Sequence, residues 1–128
     1  KNPKGDIVHI LRKDDINYKS FGELYLSKIR KNKIKGWNYH KKMTMNLFVI
    51  KGKVKFIFFD QRKKSIYYNK YKSFKVSDKL FSIIKVPPKI WFSFVGLSNV
   101  SYILNTSNII HDPNEHIKKP INHFNYRF

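Results

Sequence analysis

Residues 34–62 read I-K-G-W-N-Y-H-K-K-M-T-M-N-L-F-V-I-K-G-K-V-K-F-I-F-F-D-Q-R. From 44 to 50 the side chains alternate with the period of a strand, Met45, Leu47 and Val49 on one side and Asn46 and Phe48 on the other. Residues 54–59 are β-branched or aromatic except for Lys55, a composition that favours extended structure. Between them Lys51-Gly52 has the length of a two-residue hairpin turn, with glycine supplying positive φ, so two long antiparallel strands are expected. A third strand, Ile34–His40, precedes them. Side chains two residues apart on a strand share a face, which directs Asn38 and His40 into the same space.

Similar patterns extend in both directions. Residues 6–12 place Ile7, His9 and Leu11 opposite Val8 and Ile10, and residues 21–30 place Glu23, Tyr25 and Ser27 opposite Leu24 and Leu26. A polar turn is expected at 13–17 between these two strands. Beyond residue 62 come short aromatic strands at 65–68 and 71–76, then Asp78 opening a loop or a single helical turn. A strand at 81–86 is stopped by Pro87-Pro88, neither of which can donate to a ladder. Residues 90–110 carry no Asp, Glu, Lys or Arg, the signature of a membrane span, yet eight of these 21 residues are Ser, Thr or Asn. Two strands, 91–95 and 100–105, joined at Gly96-Leu97-Ser98-Asn99, explain the run better. The tail from His111 reads as an irregular wrap. About ten short strands with regular turns specify an all-β sandwich or closed barrel, in one domain over residues 1–128.

Composition narrows the function. The chain has no cysteine, which removes disulfides, thiolate nucleophiles and thiolate metal sites. No secretory signal pattern is read, and a cytoplasmic location is expected. The net charge of +19 suggests a polyanionic partner, but it comes from 23 lysines against four arginines in a chain without alanine, spread from end to end. Readers of bases and phosphates favour the bidentate arginine fork. The charge is therefore read as compositional bias with incidental attraction for anions, and no specific nucleic-acid partner is expected.

Gly36-Trp37-Asn38-Tyr39-His40 followed by Gly52 has the spacing of the first cupin motif, and Pro87-Pro88-Lys89-Ile90-Trp91-Phe92 resembles the second. Within the cupins, residues 35–62 and 86–98 resemble the dTDP-4-dehydrorhamnose 3,5-epimerases, the likeness covering roughly residues 5–115. The resemblance implies a small jelly-roll β-barrel of two antiparallel sheets, with a pocket for a nucleotide-linked sugar. It also shows departures. The epimerases' catalytic His falls at Asn38, their sugar-binding Lys at Met45, the second-motif His at Phe92 and the acidic Tyr at Asn105. The related sugar-nucleotide 3,4-ketoisomerases carry Gly-Phe-His-x-His, and of those two histidines this chain keeps the second, as His40.

Metal cupins use about three histidines and a glutamate; the corresponding positions here are Asn38, His40, Met45 and Phe92, so neither metal nor cofactor is expected. His40 is the candidate base, because imidazoles titrate near neutral pH; the plain alternative is a histidine hydrogen-bonded inside the barrel mouth. Tyr25 and Tyr39 are candidate acids or stacking platforms, or tyrosines that only pack. Asn38 can bind a carbonyl or hydroxyl but cannot move a proton. Lys35 suits a diphosphate, and Trp91 a stacked base or simply the core. Asn105 is a candidate substrate contact by its motif position. His9, His111, His116 and His123 show no partner pattern. The expectation is a cytoplasmic, homodimeric epimerase or ketoisomerase acting on a dTDP-4-keto-6-deoxyhexose in cell-surface polysaccharide synthesis. The alternatives are a non-catalytic cupin binding a sugar nucleotide and, more weakly, a basic barrel binding nucleic acid.

Overall fold

The computed structural model describes residues 2–16 and 18–128. Nine strands run in the order β1 (Glu23–Arg30), β2 (Ile34–His40), β3 (Met45–Lys51), β4 (Lys53–Asp60), β5 (Lys70–Ser77), β6 (Ile83–Val86), β7 (Trp91–Gly96), β8 (Val100–Ser107) and β9 (His116–Lys118). They form a four-stranded sheet, β1-β8-β3-β6, and a five-stranded sheet, β5-β4-β7-β2-β9, with every ladder antiparallel. A 3-10 turn at Ile121–His123 is the sole helical element among the described residues. Only β4 and β5 are neighbours both in sequence and in a sheet; every other connection crosses between sheets, as a jelly roll requires.

That topology corrects the expected hairpin at Lys51-Gly52. Strand β3 pairs with β6 and β8 while β4 pairs with β5 and β7, so the chain changes sheets at Gly52. The glycine is needed for a corner rather than a hairpin: its φ is +83°, and a Cβ would lie 2.5 Å from Ser101 Oγ and 2.7 Å from the Val100 carbonyl oxygen. The Ser101 hydroxyl links both sides of the corner, accepting from the Lys53 N–H at 3.2 Å and donating to the Lys53 carbonyl at 3.0 Å. Asp78, expected in a loop or helical turn, lies in a turn whose carboxylate accepts the Gly52 N–H at 3.0 Å.

Four other expectations also change. Residues 6–12 form no strand: Ile7 is exposed, and Ile10 and Leu11 line a cleft with Asn46 and Ile83 without joining a ladder. Alternation fixes which face a strand would bury, but it does not provide an edge to pair with. Of the polar turn at 13–17, Asn17 lies outside the described residues. Residues 65–68 are turn instead of strand. They fold around Asp60, whose carboxylate accepts from Arg62 Nε and Nη2 at 3.0 and 2.8 Å and from Ser65 Oγ at 2.6 Å. The tail is no irregular wrap throughout, since it contributes β9 to the sheet edge beside β2. The strand expected at 81–86 begins at Ile83, because Phe81 takes a left-handed φ of +46°.

The Arg62 hydrogen bond, helped by Ser65 and opposed by burial, lowers the Asp60 pKa from 3.8 to about 2. A folded pKa below the unfolded one stabilises at pH above about 4, and the gain disappears as pH falls toward about 2. Asp60→Asn is expected to cost on the order of 1–2 kcal/mol at neutral pH, discounted because the Arg62 side chain is 40% exposed. Urea unfolding at pH 7 and pH 2.5 checks this: the difference between variant and parent should shrink at the lower pH.

Two apolar clusters place the core. The first lies between the sheets and contains Met45, Leu47 and Val49 of β3, Val54 and Phe56 of β4, and Phe92 and Phe94 of β7. The second covers the outer face of the five-stranded sheet. Trp37, Ile57, Phe59 and Trp91 are buried there beneath Phe124, Tyr126 and Phe128 of the tail. Strand β4 is buried on both faces, which explains its nearly continuous apolar run. The uncharged stretch at 90–110 likewise resolves into β7 and β8, one in each sheet. No described helix is long and apolar enough to cross a membrane.

Candidate functional site

Between the sheets, a cavity of about 630 Å³ is lined by the inward side chains of β1, β2, β7 and β8, together with residues of the tail. Strand alternation decides what enters it. On β2, Asn38 and His40 point inward, while Trp37 and Tyr39 point to the outer cluster. On β7, Phe92 and Phe94 line the cavity, whereas Trp91 lies outside, opposite Tyr39 in the ladder with ring centroids 4.9 Å apart. The structure therefore brings together Tyr25, Lys35, Asn38, His40 and Asn105, and it keeps Tyr39 and Trp91 on the other face of the sheet.

His40 lines the cavity and has a partner. Its Nδ1 meets Glu115 Oε1, and both side chains are almost fully buried. Glu115 Oε2 also accepts the N–H groups of Lys42 and Met43 at 3.1 and 3.2 Å. Burial alone would raise the Glu115 pKa, but the hydrogen bonds from His40 and these amides outweigh it and hold the carboxyl below its usual range. With Nδ1–H donated to the carboxylate, Nε2 is left as the unprotonated nitrogen of the neutral ring. A buried carboxylate fixing one tautomer of an imidazole is the arrangement a general base needs.

The tail supplies a second imidazole. Strand β9 pairs His116 directly with His40, and the rings stack 4.6 Å apart at an interplanar angle of 11°. His116 Nε2 lies 3.0 Å from Asn38 Oδ1. Burial pushes its pKa below the usual imidazole range, the nearby His40, Lys118 and His111 add to the lowering, and Glu115 opposes them.

Across the cavity, the Tyr25 hydroxyl accepts a hydrogen bond from Asn105 Nδ2 at 2.7 Å. Burial and the charge of Glu23 raise the Tyr25 pKa, opposed by the Asn105 bond, so the phenol keeps its proton at neutral pH. The Lys35 ammonium sits at the rim, bonded to the Lys28 carbonyl at 2.8 Å and Ser27 Oγ at 3.2 Å. Met45 is buried against Asn105, its sulfur 3.4 Å from Nδ2. Phe92 offers no metal ligand, and no group of three or more His, Asp or Glu among the described residues is arranged to hold an ion.

Sequence reasoning missed Glu115, His116 and Lys118. The only signal for them was the polar-apolar-polar order of His116-Ile117-Lys118, three residues long and set within a tail that reads as irregular.

Comparison with solved structures agrees with this architecture. A dTDP sugar isomerase from Desulfovibrio desulfuricans G20 superposes with a TM-score of 0.87 at 24% identity, over 96% of this chain and 80% of that one. A dTDP-4-dehydrorhamnose 3,5-epimerase from Sulfolobus tokodaii gives 0.84 at 18% identity, over 99% and 76%. Another from Elizabethkingia anophelis gives 0.72 at 18% identity, where this chain spans 57% of the epimerase's length. At these identities the likeness is one of fold, a cupin barrel. None of the curated proteins matches the chain in sequence. The model of the family described as FdtA, WxcM-like, C-terminal matches residues 1–127, nearly the whole length, and the chain belongs to that family.

Proposed function

We propose that the protein binds a nucleotide-linked 4-keto-6-deoxy sugar of the dTDP type in this cavity and acts on it as an epimerase or ketoisomerase. One observation carries the reading: His40, held by buried Glu115, borders a cavity large enough for such a ligand. A 4-keto group acidifies the hydrogen on the adjacent carbon. His40 Nε2 takes that proton, and the resulting imidazolium faces the Glu115 carboxylate. The electron pair of the C–H bond moves into the enolate, whose oxygen needs hydrogen-bond donors. Asn38 supplies one such donor, and the Tyr25 hydroxyl, retaining its proton, can return a proton to carbon or oxygen. Lys35 at the rim, joined there by Lys118, suits the diphosphate. Cell-surface polysaccharide synthesis in the cytoplasm is the setting that this chemistry fits.

Calorimetric titration with dTDP and with dTDP-4-keto-6-deoxyglucose tests the ligand class. Both should bind, the sugar nucleotide more tightly. Absence of binding by either would sink the proposal, while binding without proton exchange would leave the non-catalytic alternative.

Strand β1 is the outermost of its sheet, and Leu24 and Leu26 stand 53% and 52% exposed on it. An unpaired apolar edge favours self-association, so a homodimer formed along β1 is part of the proposal. Sedimentation at micromolar concentration should give the dimer mass, and Leu26→Lys should yield monomer. A monomeric parent would refute it.

A specific feature keeps the nucleic-acid reading in view. Lys41, Lys63, Lys64 and Lys89 surround Tyr39 and Trp91 in a cleft on the outer face of the five-stranded sheet. Duplex DNA is nonetheless expected to bind weakly, without sequence preference, and with an affinity that falls steeply with salt as counterions are released. Selective binding surviving about 0.3 M salt would favour that reading instead.

A further inference from the structure

The base of the proposed chemistry comes from β2, and so does Asn38, but the residue that controls Asn38 comes from elsewhere. An asparagine side chain carries an acceptor at one end and two donors at the other, and it can turn either toward a ligand. Here Asn38 Oδ1 is taken by His116 Nε2 at 3.0 Å. A carbonyl oxygen only accepts, so His116 Nε2 carries a hydrogen and donates it. We propose that His116 is a positioning residue: by engaging the Asn38 oxygen it turns the Asn38 NH2 group to the cavity as the donor for the oxygen that gains charge in the reaction.

Register makes the arrangement stiff. His116 stands directly across from His40, and Asn38 is its diagonal neighbour on the same face. Stacking 4.6 Å from His40 limits tilting of the His116 ring. Backbone bonds between Trp37 and Lys119, 3.0 Å in each direction, and from the Lys41 N–H to the Glu115 carbonyl at 2.9 Å close the ladder on both sides. Charge also fits. The shift that keeps His116 neutral means that the imidazolium formed on His40 does not face a second cation 4.6 Å away. The tail segment that carries Glu115 and His116 thus contributes both the partner of the base and the orientation of the donor, neither of which comes from the motif strand itself.

This inference rests on the proposed reaction, and its test separates the two. In 15N-labelled protein without ligand, His116 should show the Nε2–H form, and His116→Phe should shift the Asn38 side-chain amide resonances. In deuterated water, His116→Phe should lower kcat for exchange into the keto sugar about 10- to 100-fold with KM changed less than about twofold, since the donor acts on charge present only in the transition state. His116→Gln, whose amide can still donate to Asn38 Oδ1, should recover the rate to within about fivefold of wild type. Exchange by His116→Phe at the parent rate, or loss in both variants alike, would overturn the role. If wild-type protein exchanges nothing, the reading of function falls instead. The resonances alone then decide whether His116 holds Asn38, and an Nδ1–H ring or an unmoved amide would overturn it.

Discussion

With His40 replaced by Gln, solvent deuterium should stop entering the carbon beside the ketone of a bound dTDP-4-keto sugar. The expected loss is on the order of 10²–10⁴-fold, the range that a positioned general base contributes. Glutamine keeps much of the size and can still donate to Glu115, so the barrel should stay folded and nucleotide affinity should stay within a few-fold. His40 is the one imidazole at the cavity whose Nδ1 is held by a buried carboxylate, itself bonded to the Lys42 and Met43 amides. His116, stacked against it, has its Nε2 committed to Asn38 and is not placed to substitute. A His40→Gln protein that exchanges as fast as its parent would move the base to another residue. Time-resolved mass spectrometry of the nucleotide sugar gives the rate.

The second large effect is on stability. Trp37 has no exposed surface and lies at the centre of the outer cluster, with ring centroids 5.3 Å from Phe124, 6.2 Å from Tyr126 and 5.7 Å from Phe128. Its indole N–H donates to the Ile121 carbonyl at 3.1 Å. Trp37→Ala should therefore cost about 3–5 kcal/mol, the range for deleting a fully buried aromatic, and lower Tm by about 10–20 °C. The loss should appear first in the tail: limited proteolysis is expected to cut beyond residue 119 before it cuts the barrel. Because β9 precedes that segment and carries His116, loosening the tail should also slow exchange. A Tm drop of under about 3 °C would show that the tail, and not the barrel, absorbs the change, and that the outer cluster is dispensable.

How much of this was written legibly in the chain can be seen strand by strand. The alternation at 44–50 and the apolar run at 54–59 located β3 and β4 closely, because period-two patterning follows directly from pleating. Their pairing was not legible, since Lys51-Gly52 suits a hairpin and a sheet-crossing corner equally. What decides is Ser101 against Gly52, a contact from 49 positions further along the chain. The alternation also foretold that Asn38 and His40 enter one space. Applied strictly, it would have sent Tyr39 to the outer face with Trp37, where the structure places it. Trp91 follows the same rule through its register with Tyr39. Glu115 and His116 were hidden for a different reason. A three-residue edge strand has too few positions to show a period, and its identity depends wholly on the β2 edge waiting for it. The false strand at 6–12 is the converse, a good pattern with no edge to receive it.

The proposed chemistry turns on proton abstraction by the Glu115-held His40 from a keto sugar bound between the two sheets. The most direct measurement is incubation of wild-type protein with dTDP-4-keto-6-deoxyglucose in deuterated water, read by proton NMR of the sugar. The proton signal from a carbon adjacent to the ketone should disappear, catalytically and at a rate proportional to protein. A protein that binds the compound yet leaves that signal intact through many hours would contradict it.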